Sequence, residues 1–381
     1  MDAVNPPPPG STPPPVPPPL RPPPAISPPS SAKQPKRRSW MILSIILLCL
    51  LAVSILFNAG HILESFVSMD GGRSRYAGPR LDELVLEDNG SHDKIAVIRV
   101  EGIISGQPAG RGSITMGDII KAELARAAKD RRVKAAILKV DSPGGEVLAS
   151  DDIARALADF QEVSEKPVVV SMGSLAASGG YYISAPCQWI VANELTITGS
   201  IGVIMEAWNY RALMTKVGLK PFVFKSGDHK DMLSGSRDIV EIPPEEREIL
   251  QSFINQAYTQ FTNVIVEGRS WAAEVNGDDA KPLAKNWSEF ADGRILSGQE
   301  AFEIGLVDQV GNFDDAVETA LSIAGIENAN LIEYRQRLDF GDFFQLFGES
   351  EARAVKLDIG VRLPPQLQAG RCYFIWPNYL R

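Results

Sequence analysis

The segment Gly173-Ser-Leu-Ala-Ala-Ser-Gly-Gly-Tyr-Tyr182 sets one serine, Ser178, after two alanines and before two glycines, just downstream of the apolar run that ends at Met172. A strand that enters a turn of tiny residues and then a helix presents a hydroxyl with backbone amides open around it. Such amides can hold a developing anion. Acyl transfer needs that nucleophile, a base and an oxyanion hole. A second turn of the same kind, Val140-Asp-Ser-Pro-Gly-Gly-Glu-Val147, ends an apolar run with two glycines and opens a helix. Adjacent parallel strands would bring both turns to one sheet edge, with backbone amides aimed at a carbonyl oxygen. Either turn alone is equally satisfied by a helix cap or tight packing, so the question is what activates Ser178.

Histidine is scarce: His61, His92 and His229 are the three in the chain, and only His229 falls within the predicted folded region. A lysine can act as base when neutral, which requires its reference pKa near 10.4 to fall by roughly three units, about 4 kcal/mol. Lys225 and Lys230 both follow a predicted strand, and spacing does not choose between them. A third small-residue turn, Thr196-Ile-Thr-Gly-Ser-Ile-Gly-Val203, carries Ser200, which could orient a lysine or cap the turn. The chain shows no Walker loop, no cysteine–histidine set with zinc spacing and no dinucleotide fingerprint, so neither metal nor cofactor is expected.

The elements that position these turns alternate. Strands are predicted at 94–104, 133–141, 167–172, 189–192 and 221–224, with helices at 117–129, 147–160, from about Ser178, and at 244–269. A turn, a helix and a short strand follow over 291–311. This is an α/β pattern with a largely parallel sheet covered on both faces. Residues 93–325 form the predicted catalytic domain, 59–92 a tether and 326–381 a tail of unassigned structure.

The amino-terminal stretch is different in kind. Proline makes up about half of the first 29 residues, so 1–39 reads as an extended tail, either a spacer or a ligand for a proline-binding domain. Trp40 to Phe57 carries no charge, and at 1.5 Å per residue the segment 40–58 suits one transmembrane helix. Lys33, Lys36, Arg37 and Arg38 precede it, which sets the amino terminus in the cytoplasm and the rest across the membrane. The long preceding region favours an uncleaved anchor over a signal peptide. A net charge of −9 speaks against nucleic acid as a partner. Cys49 falls in the apolar stretch, leaving Cys187 and Cys372 as one conceivable bridge or two free thiols.

Taken together, Asp141-Ser-Pro-Gly-Gly145, Ser171 to Tyr182, Leu195 to Val203, Lys225-Ser-Gly-Asp-His-Lys-Asp231 and Ala291-Asp-Gly-Arg294 resemble the signal peptide peptidase A family in its short form. The resemblance spans about residues 94–325 in the family's order. It implies a ClpP/crotonase-like fold of stacked ββα units behind one transmembrane helix. It also implies a Ser/Lys dyad with Ser178 as nucleophile, Lys230 as general base, Ser200 orienting Lys230, and the amides of Gly145 and Gly179 as oxyanion hole. The implied partners are peptide substrates, signal-peptide remnants among them, and further copies in a homo-oligomeric ring, commonly an octamer. The implied location is the bacterial inner membrane, with the catalytic domain outside the cytoplasm. Ile201, Val203 and Met232 are the expected substrate contacts. A crotonase-type acyl-CoA enzyme and a non-catalytic membrane scaffold are the competing readings.

Overall fold

The computed structural model describes residues 44–54, 79–108, 114–336 and 371–375. Helix α1 covers 44–54 and belongs to a separate unit. Among the described residues no helix is long and apolar enough to cross a membrane. The flanks 40–43 and 55–58 of the expected anchor lie outside the described residues, as does the proline-rich stretch 1–39.

The second unit opens with β1 (Leu81–Glu87), β2 (Lys94–Glu101) and α2 (Met116–Lys129). There follow β3 (Val133–Ser142), β4 (Gly144–Glu146), α3 (Val147–Ser164), β5 (Val168–Ala176) and α4 (Gly179–Ser184). Then come β6 (Trp189–Ala192), β7 (Ile197–Gly199), α5 (Arg211–Lys216) and the long α6 (Pro244–Asn276). The unit closes with β8 (Ile295–Ser297), α7 (Gly298–Glu303), β9 (Gln309–Val310), α8 (Phe313–Ile323), β10 (Asn330–Gln336) and β11 (Tyr373–Ile375).

The main sheet runs β1-β10-β2-β3-β5-β6-β9, with β7 joined to β5 and β8 to β7. Pairings from β10 through β9 are parallel, and β1 is an antiparallel edge. The architecture is therefore mixed α/β around a large, mostly parallel sheet. Strand β3 shows why both faces must be covered. Ala136, Leu138 and Val140 join one core while Ala135 and Ile137 join the other, so its sequence is apolar without alternation. Ile120 and Leu124 of α2 and Ile153 and Leu157 of α3 pack on the first face, and Ala316 and Ala320 of α8 on the second. Each such aliphatic side chain contributes about 1.5–3 kcal/mol on burial. Helix α2 starts at Thr115, whose Oγ1 accepts from the Asp118 amide at 3.1 Å while Asp118 accepts the Thr115 amide at 3.0 Å. That reciprocal pair satisfies two amides which have no partner inside the helix.

Several sequence expectations shift. The run Pro221 to Phe224 is not a strand: Phe222 and Phe224 are 87% and 88% exposed, and among the described residues no strand edge receives them. An apolar run becomes a strand only where a ladder partner takes up its amides and carbonyls. Strand β5 extends to Ala176, so the small residues before Ser178 are still sheet, and α6 continues beyond Arg269 to Asn276. A strand, β8, precedes the helix predicted within 291–311. Strand β1 falls in the stretch read as a tether, and β10 and β11 lie beyond residue 325.

Helix α6 is fixed by its buried Arg269. The guanidinium donates to Asp308 Oδ1 at 2.7 Å and to the Cys187 carbonyl at 3.0 Å, and both side chains of the ion pair are 1% exposed. The same Asp308 accepts the Ile190 amide at 2.8 Å, tying α6 to the start of β6.

Candidate active site

The turns after β3 and β5 meet because the two strands are parallel neighbours, with Ala136 to Val140 paired against Val168 to Met172. Beyond Met172 the ladder resumes at Ser142 and Ala176, and the Ala177 amide reaches back to the Ser142 carbonyl at 3.1 Å. The contact is too close for side chains. A Cβ on Gly179 would stand 2.7 Å from Ser150 Oγ and 3.0 Å from both Gly144 Cα and the Gly145 nitrogen. Gly144 has φ +95°, and a Cβ there would stand 2.5 Å from the Gly179 nitrogen. Both sites therefore require glycine. The backbone nitrogens of Gly145 and Gly179 both lie at this contact.

Ser178 sits at the sharpest point of this turn, with φ 54° and ψ −114°. A non-glycine residue held there is strained by roughly 1–3 kcal/mol, and such strain concentrates where chemistry fixes the backbone. The surroundings impose it: the Ser178 amide donates to the Gly199 carbonyl at 2.8 Å, and its carbonyl accepts from Tyr182 at 2.8 Å. The side chain does not cap the helix that follows. Its Oγ is buried without a hydrogen-bond partner among the described residues, and the residue is 1% exposed. A buried hydroxyl left unpaired costs about 1–3 kcal/mol, so simple helix capping does not explain this serine.

Ser200 occupies the neighbouring turn, also at positive φ (51°), with its amide donating to the Arg294 carbonyl at 2.7 Å. It is buried, as is Ile201; Val203 and Met232 are half-buried. The two candidate lysines differ. Lys225 is engaged, its Nζ 2.8 Å from Asp231 Oδ1 and 2.8 Å from the Asp228 carbonyl. Lys230 is exposed, and its Nζ meets no hydrogen-bonding or ion-pair partner among the described residues. The single chain thus joins Ser178, Ser200, Gly145 and Gly179 in one place and leaves Lys230 hydrogen-bonded to none of them. His229, the remaining basic candidate, lies 3.6 Å from Glu246 and 3.9 Å from Glu245.

With this geometry, the comparisons with known proteins are consistent. Residues 161–327, which include Ser178, Ser200 and Lys230, match the model of peptidase family S49. A Synechocystis protein provisionally named as a protease is 41% identical over 235 residues, covering 61% of this chain and 76% of that protein. An Enterococcus faecium protein provisionally named signal peptide peptidase SppA is 35% identical over 265 residues, 68% of this chain and 72% of its own length. The chain belongs to peptidase family S49, among the signal peptide peptidase A proteins. It also matches the chloroplastic serine protease SPPA of Arabidopsis thaliana at 33% identity, over 66% of this chain and 35% of that longer protein.

Other groups around this S49 site were not legible in the sequence. Tyr182, one helical turn after Ser178, donates its hydroxyl to Asp151 Oδ1 at 2.7 Å. Burial first, then that hydrogen bond, holds its phenol above the ordinary range. The Tyr182 ring stacks on Phe374 with centroids 4.8 Å apart, and Phe261 of α6 closes on both at 5.0 and 4.7 Å. The spacing from Ser178 to Tyr182 could have suggested a shared helix face, but nothing in the sequence linked Phe374 to it. Cys187 and Cys372 are both free thiols, and burial pushes the Cys187 thiol up to about 12. Among the described residues no set of ligands suits a metal ion.

Proposed function

We propose that the chain is a membrane-anchored serine endopeptidase that cleaves hydrophobic peptides, signal-peptide remnants among them, through an acyl-enzyme on Ser178. The observation that carries this is the strained Ser178 turn, whose buried, unpaired hydroxyl stands beside the two touching glycine turns. In this reading Ser178 Oγ attacks the peptide carbonyl while neutral Lys230 takes its proton, and the amides of Gly145 and Gly179 stabilise the oxyanion. Lys230 then gives the proton to the departing amine, and water releases the acyl group by the same route. Ser200 orients Lys230. Ile201, Val203 and Met232 line the apolar path for substrate. The sheet and its crossing helices are, on this reading, ClpP/crotonase-like ββα units.

Lys230 comes to the nucleophile by assembly of copies into a ring, an octamer by family resemblance. The segment that carries it supports this, since Trp208, Phe222 and Phe224 are exposed around it. Large apolar side chains in such a group mark a surface that another protein covers. The apolar stretch 40–58 is the anchor, with the basic residues before it on the cytoplasmic side.

The test is hydrolysis of a hydrophobic fluorogenic peptide by the full chain. Ser178→Ala and Lys230→Ala should each lower kcat by at least about a thousandfold. A mixture of the two inactive variants should recover part of the activity, because a ring can pair an intact Ser178 with an intact Lys230. Full activity in either single variant overturns the dyad. Labelling of Ser178 by a fluorophosphonate separates a peptidase from an acyl-CoA enzyme or a scaffold.

A further inference from the structure

The carboxy-terminal strand β11 lies in an unusual place. It pairs antiparallel with β4, setting Tyr373 against Glu146, Phe374 against Gly145 and Ile375 against Gly144. On its other side the Ile204 amide donates to the Tyr373 carbonyl at 3.1 Å, and the Tyr373 amide donates to the Ile204 carbonyl at 3.0 Å. An extended segment held by main-chain bonds on both flanks is how peptides are gripped by strand addition. The flanks here are the glycine turn beside Ser178 and the chain just beyond Ser200. The Phe374 carbonyl oxygen stands against Gly144, where a Cβ would collide with it and lie 2.5 Å from the Gly179 nitrogen. That carbonyl is thus set beside the oxyanion amides, where the carbonyl of a cleaved bond belongs.

The side chains of the segment are bound as well. Phe374 is 0% exposed between Tyr182 and Phe261. Three residues earlier, Arg371 Nη1 donates to Glu146 Oε2 at 2.7 Å, and Ser105 Oγ donates to Glu146 Oε1 at 3.3 Å. The Glu146 side chain is 12% exposed and that of Arg371 47%, so the carboxylate is a part of the groove that a visiting cation reaches from solvent.

We propose that Glu146, in the groove between β4 and Ile204 where β11 lies, selects a basic side chain three residues ahead of an aromatic one at the cleaved bond. This rests on the peptidase reading and adds a substrate class to it: extended peptides with a cation and an aromatic ring at that spacing. Glu146 is a specificity-determining residue, and the Tyr182–Phe261 pocket receives the aromatic ring. The strand β11 competes with incoming peptide for the same main-chain groups.

The experiment uses fluorescein-labelled pentapeptides of sequence Arg-Ser-Tyr-Phe-Ile and Glu-Ser-Tyr-Phe-Ile with full-length protein carrying Ser178→Ala, so that binding is read by anisotropy without turnover. Phe374→Ala weakens the chain's own strand in the groove, and Arg371→Ala, which alters a solvent-facing side chain, provides a second release. In these proteins the arginine peptide should bind about fivefold more tightly than the glutamate peptide, the scale of one partly exposed ion pair. Glu146→Gln should bring the ratio to about one, and Glu146→Lys should reverse it. Ratios within one variant cancel any general weakening of the groove. Binding of neither peptide by either released chain, or a preference indifferent to Glu146, overturns the proposal. A Glu146-dependent preference in binding, with no turnover of either peptide when Ser178 is intact, instead overturns the peptidase reading and leaves the groove in place.

Discussion

Ser178 carries two local costs to stability. Its backbone is held at φ 54° and its hydroxyl is buried unpaired, and each condition opposes folding. Ser178→Gly relieves both, so this variant should be more stable than the wild type by about 1 kcal/mol in urea unfolding while losing hydrolysis entirely. Ser178→Ala keeps the strain and should gain less. Glu123 is a second residue whose surroundings work against its ionised form. Burial first, with Glu333 adding to it, pushes its carboxyl up to about 8 from the usual 4.5. The folded chain keeps a proton that the unfolded chain loses above pH 4.5, so this contribution is fully present below that value and is lost as pH rises through about 8. Glu123→Gln should therefore match the wild type in thermal unfolding at pH 4. It should exceed the wild type at pH 8 by on the order of 2 kcal/mol, flattening that limb of the pH profile.

At the scale of elements, α6 supplies Phe261 to the aromatic cluster, and its placement depends on the buried Arg269–Asp308 pair. Removing one partner leaves the other charge without compensation in a dry interior. Asp308→Ala should cost about 3–5 kcal/mol in denaturant unfolding, whereas joint replacement of both residues by apolar side chains should cost less than either single change. The legibility of elements followed their burial. Strands β2, β3 and β5 stood out because two covered faces leave continuous apolar runs, and the glycine turns stood out because two chains meet there without room for a Cβ. The Phe222–Phe224 run imitated a buried strand, although its apolar side chains face outward. Strands β1, β10 and β11 pair across long sequence separations, such as Leu81 with Gln336 and Tyr373 with Glu146, so no local pattern announced them. The choice of Lys230 over Lys225 was not available from spacing and came from the family resemblance; in the structure it is Lys225 that bonds Asp231.

For the whole molecule, the proposed dyad makes activity depend on assembly, because Lys230 is exposed in the single chain. Phe222→Asp with Phe224→Asp should shift the protein toward monomer in sedimentation velocity and lower specific activity at least tenfold, with unfolding stability within about 0.5 kcal/mol of wild type because both rings are exposed in the single chain. Retained activity in a proven monomer would show that the chain completes its site alone. The sheet has a further consequence at its rim. Strand β1 is the antiparallel hem laid over β10, and β10 in turn shields β2, whose residues Ile95 to Ile98 are almost wholly inaccessible to solvent. A fragment trimmed to residues 93–325 would lose both outer strands and present the apolar run Ile95 to Ile98 of β2 as a row of open amides and carbonyls. Such a piece would fail by sticking to its own kind and precipitating, with its catalytic turns still intact.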